Sequence, residues 1–109
     1  MKFFRRERKK EIDFSIIELV RVNSPDSKKV LIIVEEYVDG NYKNTSGLLE
    51  WNSQGGGGIL HYVKKGSNIS ANWLDNNSLL IEHDSDIVFV QKEKESFFRG
   101  DLVKISYQP

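Results

Sequence analysis

Cysteine is absent from the 109-residue sequence, and so are long apolar runs. Without a thiol the chain cannot form a disulfide framework, a thiolate zinc site, an iron–sulfur cluster or a cysteine nucleophile. The longest apolar run covers residues 30–34, far short of the ~18 residues that a membrane-spanning helix needs. The composition, 39% hydrophobic and 11% aromatic residues, is typical of a globular protein. The length predicts one domain.

The sequence also has no net charge, because 16 basic residues balance 16 acidic ones. The positive and negative residues are nevertheless unevenly distributed along the chain. Residues 1–10 carry a net charge of +5, and residues 11–109 carry a net charge of −5. We therefore divide the chain into a basic N-terminal arm, 1–10, and a single acidic domain, 11–109. The basic residues of the arm are Lys2, Arg5, Arg6, Arg8, Lys9 and Lys10.

The arm allows more than one interpretation. A basic cluster attracts phosphates, so these six residues are candidates for binding nucleic acid or an acidic membrane. The alternative is a short solvated terminus with Phe3 and Phe4 against the domain. A signal peptide would also begin with basic residues, but three acidic residues between positions 11 and 20 interrupt the apolar segment it requires. The sequence predicts an unprocessed N-terminus and a cytoplasmic protein, with export as the alternative if the native N-terminus is longer.

Alternation of β-branched or aromatic residues with polar ones runs through most of the domain, which is typical of half-buried β-strands. Turn signals separate the alternating segments, the clearest of them at residues 23–27 and 39–41. The pattern predicts an all-β fold: a small single-domain antiparallel sandwich or partly open barrel of about eight short strands. These strands are predicted at residues 12–22, 29–38, 48–52, 59–64, 67–73, 78–83, 86–91 and 102–107.

Two of these regions need further comment. Residues 12–22 fit a strand with Phe14, Ile16, Val20 and Val22 on one side, and they also fit an amphipathic helix. Four consecutive glycines, residues 55–58, precede a predicted strand and lack the Lys-Ser/Thr of a phosphate-binding loop. Because glycines lose much entropy on ordering, we expect a mobile hairpin tip there.

Two turn motifs carry a resemblance. Residues 24–26 (Ser-Pro-Asp) and residues 73–75 (Trp-Leu-Asp) each precede a predicted strand, and each Asp can accept hydrogen bonds from its own turn. With the final segment 103–107, they resemble a group of uncharacterised short bacterial β-rich proteins, many of them exported or lipid-anchored. The resemblance implies a β fold and no defined activity. Residues 24–28 also resemble the blade entry of TolB-type propellers, but a propeller needs about four blades, and this chain supplies two at most.

Metal-binding and catalytic signals are weak. Glu82, Asp84 and Asp86 are the densest group of possible oxygen ligands, but they lack the fixed spacing of a calcium loop and are also explained as a solvated hairpin turn. Both histidines, His61 and His83, lie inside predicted strands, and no serine sits on a Gly-x-Ser-x-Gly elbow. The sequence predicts a protein that is not an enzyme and holds no cofactor.

Aromatic residues near loops are the remaining candidates for function. Trp, Tyr and Arg often anchor protein interfaces, and the alternative for each aromatic side chain is a place in the core. The candidate interface residues are Tyr42, Trp51, Tyr62, Phe97, Phe98 and Arg99. We expect a non-catalytic protein-binding domain, with an inhibitor or immunity-type factor that offers carboxylates to a basic partner as its specific form. The alternatives are a nucleic-acid-binding protein that uses the arm and an exported or surface-associated domain.

Overall fold

A computed structural model describes residues 12–52 and 54–109, and it confirms the all-β prediction. The predictions for residues 1–10 lie outside these described residues. Nine strands and no helix form there, arranged as two sheets of a sandwich and not as a closed barrel. The strands are β1 (Phe14–Asn23), β2 (Lys29–Val38), β3 (Asn41–Trp51), β4 (Gly55–Tyr62), β5 (Ile69–Asp75), β6 (Ser78–His83), β7 (Phe89–Lys92), β8 (Glu95–Phe98) and β9 (Asp101–Gln108).

The first sheet has the strand order β1-β2-β3-β4-β7, and the second has the order β5-β6-β9-β8. Neighbouring strands are antiparallel with one exception, because β6 and β9 pair in parallel, with Leu79 opposite Ile105. The prediction of an antiparallel sandwich is therefore wrong for this pair. The connection from β6 to β9 passes through β7, which joins the other sheet, so β9 returns in the direction of β6.

The core lies between the sheets and is built from alternate residues of the strands. Leu31 and Ile33 of β2 face Leu79 and Ile81 of β6, and Tyr62 of β4 is also fully buried. The apolar run of residues 30–34 predicts a central strand, because a strand buried on both faces needs no polar alternation. That prediction is confirmed, since β2 lies between β1 and β3.

The structure of β1 answers whether residues 12–22 form a strand or a helix, and it changes which of their side chains share a face. Residues 14–23 form a strand and not a helix. A β-bulge between Glu18 and Val20 inserts one extra residue into the pairing with β2. Because side chains alternate along a strand, the bulge reverses the faces, so Phe14 and Val20 do not share a side as the pattern predicts. Val20 packs against the core, whereas Phe14 lies on the outer face, 65% exposed.

The glycine run is part of a strand and not a mobile tip. Residues 55–58 pair with β3, which places Gly55 opposite Trp51 and Gly56 opposite Glu50. A Cβ on Gly55 would lie 2.7 Å from a ring carbon of Phe98, and a Cβ on Gly56 would overlap the main-chain oxygen of Leu49. The expectation of mobility is wrong because the absent side chains let the backbone approach its neighbours closely.

Two further boundaries differ from the prediction. The third strand begins at Asn41, although residues 44–47 are polar and resemble a loop, because β2 and β4 flank them and bond their main chain. Residues Glu95–Phe98 form β8, where the pattern predicts no strand between the segments 86–91 and 102–107. In both places pairing with a neighbour outweighs the local preference of the residues.

The turns of the sandwich gather at two ends. One end, which we call the Asp101 end, holds the β1–β2, β3–β4, β5–β6 and β8–β9 turns. Its first turn follows the predicted form, since Ser24 Oγ donates to Asp26 Oδ1 at 2.7 Å and Lys28 N donates to the same oxygen at 3.0 Å. The other end, the acidic end, holds the start of β1, the β2–β3 turn and the β4–β5 and β6–β7 connections.

A single carboxylate, that of Asp101, connects several strands and turns at the Asp101 end. Asp101 accepts hydrogen bonds from Trp51 Nε1 at 2.8 Å, from Lys29 Nζ at 2.9 Å and from Asn77 Nδ2 at 2.6 Å. Lys29 is 2% exposed, so this ion pair neutralises a cation inside the protein. The Trp51 and Lys29 donors lower the pKa of Asp101 to about 2. One side chain therefore ties β2, β3, β9 and the β5–β6 turn together.

Candidate protein-binding edge at the acidic end

The first half of β1, and Ile12 just before it, carry apolar side chains that nothing in the described residues covers. Ile12, Phe14 and Ile16 are 63%, 65% and 63% exposed, and Ile17 and Leu19 are 52% and 38% exposed. Contiguous exposed apolar side chains of this kind mark interaction sites more often than chance, whereas single ones need no explanation. We call residues 12–17 the β1 edge.

Both faces of the β1 edge are exposed because β5 covers only the later half of β1. Before the bulge, Phe14 and Ile16 point to the outer face of the first sheet. Ile17 points to the inner face, opposite Glu35. Beyond the bulge, β5 covers the strand, and Trp73 Nε1 donates to the main-chain oxygen of Val22 at 3.1 Å. The second sheet therefore covers the later half of β1 and leaves the β1 edge free.

The main chain of the β1 edge also has unpaired groups. Asp39 N donates to Asp13 O at 2.8 Å, and Asp13 N donates to Asp39 Oδ1 at 3.1 Å, so both main-chain groups of Asp13 face β2. Because these groups alternate along a strand, those of Phe14 and Ile16 face the opposite side. Among the described residues no strand lies on that side, since β1 is the outermost strand of its sheet.

Protection of this edge is uneven along its length. Proteins protect sheet edges with charges, prolines and bulges. The later half of β1 has such protection, in the bulge at Leu19 and the Glu18–Arg21 ion pair, whose atoms are 3.0 Å apart. The β1 edge has no proline and no bulge, and its only charged residue is Asp13, whose main chain faces β2. The sheet can therefore accept another strand here.

The negative charge of the domain lies at the same end. The described residues hold 14 acidic and 10 basic side chains, a net charge of −4. Seven acidic and three basic side chains belong to the acidic end, and the rest of the described chain is balanced. The charged residues of the acidic end are Asp13, Glu35, Glu36, Lys43, Asp39, Lys64, Lys65, Glu82, Asp84 and Asp86.

A buried carboxylate holds the inner side of this end in place. Glu35 is 6% exposed and accepts hydrogen bonds from Tyr37 Oη and from Gly66 N, both at 3.0 Å. Burial, with Glu35 as the next cause, raises the pKa of Tyr37, so its hydroxyl stays a donor at neutral pH. Lys64 N donates to Tyr42 Oη at 3.0 Å. These hydrogen bonds fasten the β4–β5 connection to β2 and β3.

The six predicted interface residues separate into two groups. Trp51, Phe98 and Arg99 come together at the Asp101 end, where the Trp51 and Phe98 ring centroids are 5.4 Å apart. Tyr42 and Tyr62 lie toward the acidic end. Phe97 is 66% exposed on the outer face of the second sheet, opposite Leu102.

Two of these residues are not exposed as expected. Tyr62 is 0% exposed because it lies on the inner face of β4, where its ring packs against Phe89. Trp51 is 7% exposed because its indole donates to Asp101 beneath the turns. The sequence pattern places both beside loops, and the strands that cover them come from distant segments.

The three candidate metal ligands, Glu82, Asp84 and Asp86, each have different neighbours. Asp84 accepts from Asn68 N at 2.8 Å and from Asn68 Nδ2 at 3.3 Å, and these donors lower its pKa. Asp86 pairs with Lys64, with 3.2 Å between Oδ2 and Nζ, and Glu82 is exposed. Across residues 12–52 and 54–109, no group of three or more His, Cys, Asp or Glu side chains is placed to hold a metal ion.

The β1 edge itself is absent from the sequence-based candidates. Residues 12–20 contain apolar side chains at both odd and even positions, including the pair Ile16-Ile17. Such a pattern signals a strand that needs cover on both faces. The same signal is correctly interpreted in β2, and applied to β1 it indicates a strand with missing neighbours.

Comparison of the chain with family models, with curated proteins and with solved structures found no match. The resemblance to short bacterial β-rich proteins therefore stays a prediction. In the described part of the chain, no helix is long and apolar enough to span a membrane.

Proposed function

We propose that this protein is a non-catalytic protein-binding domain that binds an extended segment of its partner along the β1 edge. The observation that supports this most directly is an outermost strand with exposed apolar side chains on both faces and with main-chain groups that no strand among the described residues pairs. In strand addition, main-chain hydrogen bonds supply affinity and alternate side chains supply specificity. The β1 edge offers both kinds of contact.

The chemistry of the partner follows from the charge of the acidic end. A segment that pairs with β1 passes beside a surface of net charge −4, so lysine and arginine among its residues are favoured. Its apolar residues would pack on Phe14 and Ile16 on one face and on Ile17 on the other. The proposed partner is therefore a protein with an extended, basic and apolar segment.

An inhibitor or immunity-type role is the specific form of this proposal. Proteins that act on nucleic acids carry basic surfaces, and carboxylates placed to match their phosphate sites can block them. The seven acidic residues at one end of the sandwich support this form, because they concentrate negative charge beside the binding edge.

The test uses Ile16, whose N–H faces the free side of β1. Ile16→Pro removes that N–H and leaves the pairing with β2, and a proline is tolerated on an edge strand in this position. The matched control is Ile16→Ala, which shortens the same side chain and keeps the N–H. Proteins that bind the wild type are isolated from the native host, and the affinity of each variant is then measured with the purified partner.

We expect Ile16→Ala to weaken binding moderately and Ile16→Pro to weaken it by about tenfold more. A partner with equal affinity for both variants excludes strand addition. A second control, Phe97→Ser, changes an equally exposed aromatic side chain on the other sheet and should bind as the wild type does. If the chain instead binds DNA or RNA and loses this on deletion of residues 1–10, the nucleic-acid alternative replaces the proposal.

A further inference from the structure

A cavity of about 200 Å³ opens at the Asp101 end, on the opposite side of the molecule from the β1 edge. Its floor is the tilted ring pair Trp51 and Phe98. Its rim comes from three turns that are distant in the sequence. The rim residues are Lys28, Asn52, Gln54, Arg99 and Asp101.

The one carboxylate among these lining residues already accepts three hydrogen bonds. Asp101 uses Oδ2 for Lys29 and Trp51 and Oδ1 for Asn77. Its charge is balanced by Lys29, which is buried beside it. Lys29 therefore compensates the negative charge of Asp101 beside the cavity.

The two cations of the rim are in the opposite situation. Among the described residues, neither Lys28 nor Arg99 has a carboxylate within ion-pair distance. Arg99 lies over the Phe98 ring, 5.1 Å from its centroid, and its hydrogen bond to Gln54 Oε1 is long at 3.4 Å. A guanidinium over a ring can still donate from its outer N–H groups to a planar oxyanion.

The rim is held by turns in an uncommon conformation. Ser27, Asn52 and Arg99 have φ values of 61°, 43° and 51°, in the left-handed region that non-glycine residues seldom adopt. With its amide oriented toward the β1–β2 turn, Asn52 Nδ2 donates to Ser27 O at 3.0 Å and to Lys28 O at 3.1 Å. Residues held in such conformations by their surroundings occur preferentially at ligand sites.

We propose that this cavity binds a small organic anion: a carboxylate or phosphate attached to one planar apolar group. Arg99 and Lys28 would bind the oxyanion, and the planar group would lie against Trp51 and Phe98. The volume is smaller than the ~300–1,000 Å³ of sites for drug-sized ligands, which limits the ligand to about one ring. This site is independent of the β1 edge and of the function proposed for it.

The test is an NMR titration of the intact protein with four probes. Benzoate and phenyl phosphate combine an oxyanion with a ring, benzyl alcohol lacks the charge, and inorganic phosphate lacks the ring. We expect saturable shifts of the Trp51 indole N–H and of the Arg99 amide with benzoate or phenyl phosphate, with a Kd on the order of 1 mM or tighter. Whichever of the two binds more tightly tells whether the natural ligand is a carboxylate or a phosphate ester.

Variants then locate the binding. Arg99→Asn removes the guanidinium and keeps a residue that tolerates the left-handed region, and Lys28→Gln removes the second charge. Each should weaken binding by about tenfold. The control is Arg21→Gln, an exposed arginine on β1 that pairs with Glu18 and lies outside the cavity. Thermal unfolding verifies that each variant is folded.

Three results would overturn the proposal. The first is the absence of saturable shifts at the cavity with both ring-bearing anions. The second is equal binding of benzyl alcohol and benzoate, or of inorganic phosphate and phenyl phosphate, because either would show that only half of the proposed recognition operates. The third is unchanged affinity in a folded Arg99→Asn protein.

Discussion

The two ends of the sandwich differ in how their side chains are covered and bonded. At the Asp101 end one carboxylate joins Lys29, Trp51 and Asn77 from three different segments. At the acidic end the charge is −4, and β1 extends past the second sheet with Ile12, Phe14 and Ile16 uncovered. The first end is therefore joined by side-chain hydrogen bonds, and the second carries the edge for which we propose strand addition.

This difference shows how a small domain can contain an unprotected strand edge, the β1 edge, beside a packed core. Exposed apolar strands invite aggregation, and a domain of this size has little stability to spare. Here the bulge at Leu19 divides β1, so the later half stays packed on the core through Val20 and Val22. The exposed apolar side chains of the β1 edge therefore lie outside the core.

The largest expected effect is at the Asp101 end, where β3 and β4 approach most closely. In Gly56→Ala the new methyl group would overlap the main-chain oxygen of Leu49, so the strands must separate. We expect a loss of about 3 kcal/mol or more in the free energy of unfolding, measured by urea denaturation.

Gly57→Ala is the matched control for this variant. It lies one residue further along the same strand, with open space around its Cβ position. Its free energy of unfolding should change by less than about 1 kcal/mol. Equal effects of the two substitutions would mean that loss of glycine itself, and not close approach, is responsible.

A smaller loss is expected when Asp101 is neutralised. Asp101→Asn leaves Lys29, 2% exposed, without its counter-charge. Breaking a fully buried pair costs ~3–5 kcal/mol, and because the Asp101 side chain is 37% exposed we expect a loss of about 2 kcal/mol. The double variant Lys29→Met, Asp101→Asn should recover much of the loss, because an apolar side chain needs no partner there. A double variant as unstable as Asp101→Asn would contradict this explanation.

The pH dependence of stability provides a second measure of the same carboxylate. Its pKa is about 2 in the folded protein and about 3.8 when unperturbed, so the unfolded state binds the proton more readily. The stabilisation is therefore complete above about pH 4 and is lost as the pH falls toward 2. Because the side chain is 37% exposed, solvent screening reduces its size to about 1 kcal/mol. In Asp101→Asn this part of the acid profile should be missing.

The smallest effect on stability is expected at the β1 edge. Phe14→Ser removes a ring that is 65% exposed, so the free energy of unfolding should change by no more than about 0.5 kcal/mol. Chemical denaturation measures this directly. A loss above about 1.5 kcal/mol would show that Phe14 has a partner within the protein and would remove the contrast between the two ends.

Much of the fold could be predicted from short-range patterns. The apolar run in β2 predicts a central strand, and the Ser-Pro-Asp turn before it closes through Ser24 and Asp26 as expected. These features depend on residues that are close in the sequence. The polar start of β3 and the glycines of β4 were misjudged because their pairing partners, and not their own preferences, make them strands.

The sites were less predictable than the fold. Phe98 and Arg99 were chosen as interface candidates and do line a cavity, but their companions Lys28 and Asn52 come from turns with no chemical signal of their own. Sequence reasoning misses the β1 edge because it places Phe14, Ile16, Val20 and Val22 on one side and gives no weight to Ile17 and Leu19. The bulge that reverses the faces arises from pairing with β2.

The sequence by itself determined the absence of thiol chemistry, the all-β class and the positions of the main turns, since composition and alternation act locally along the chain. Only the tertiary structure decided that β6 and β9 pair in parallel, that Lys29 and Asp101 meet across 72 positions, and that the acidic residues gather at one end. Those arrangements depend on which strands become neighbours, and that outcome belongs to the packing of the whole domain.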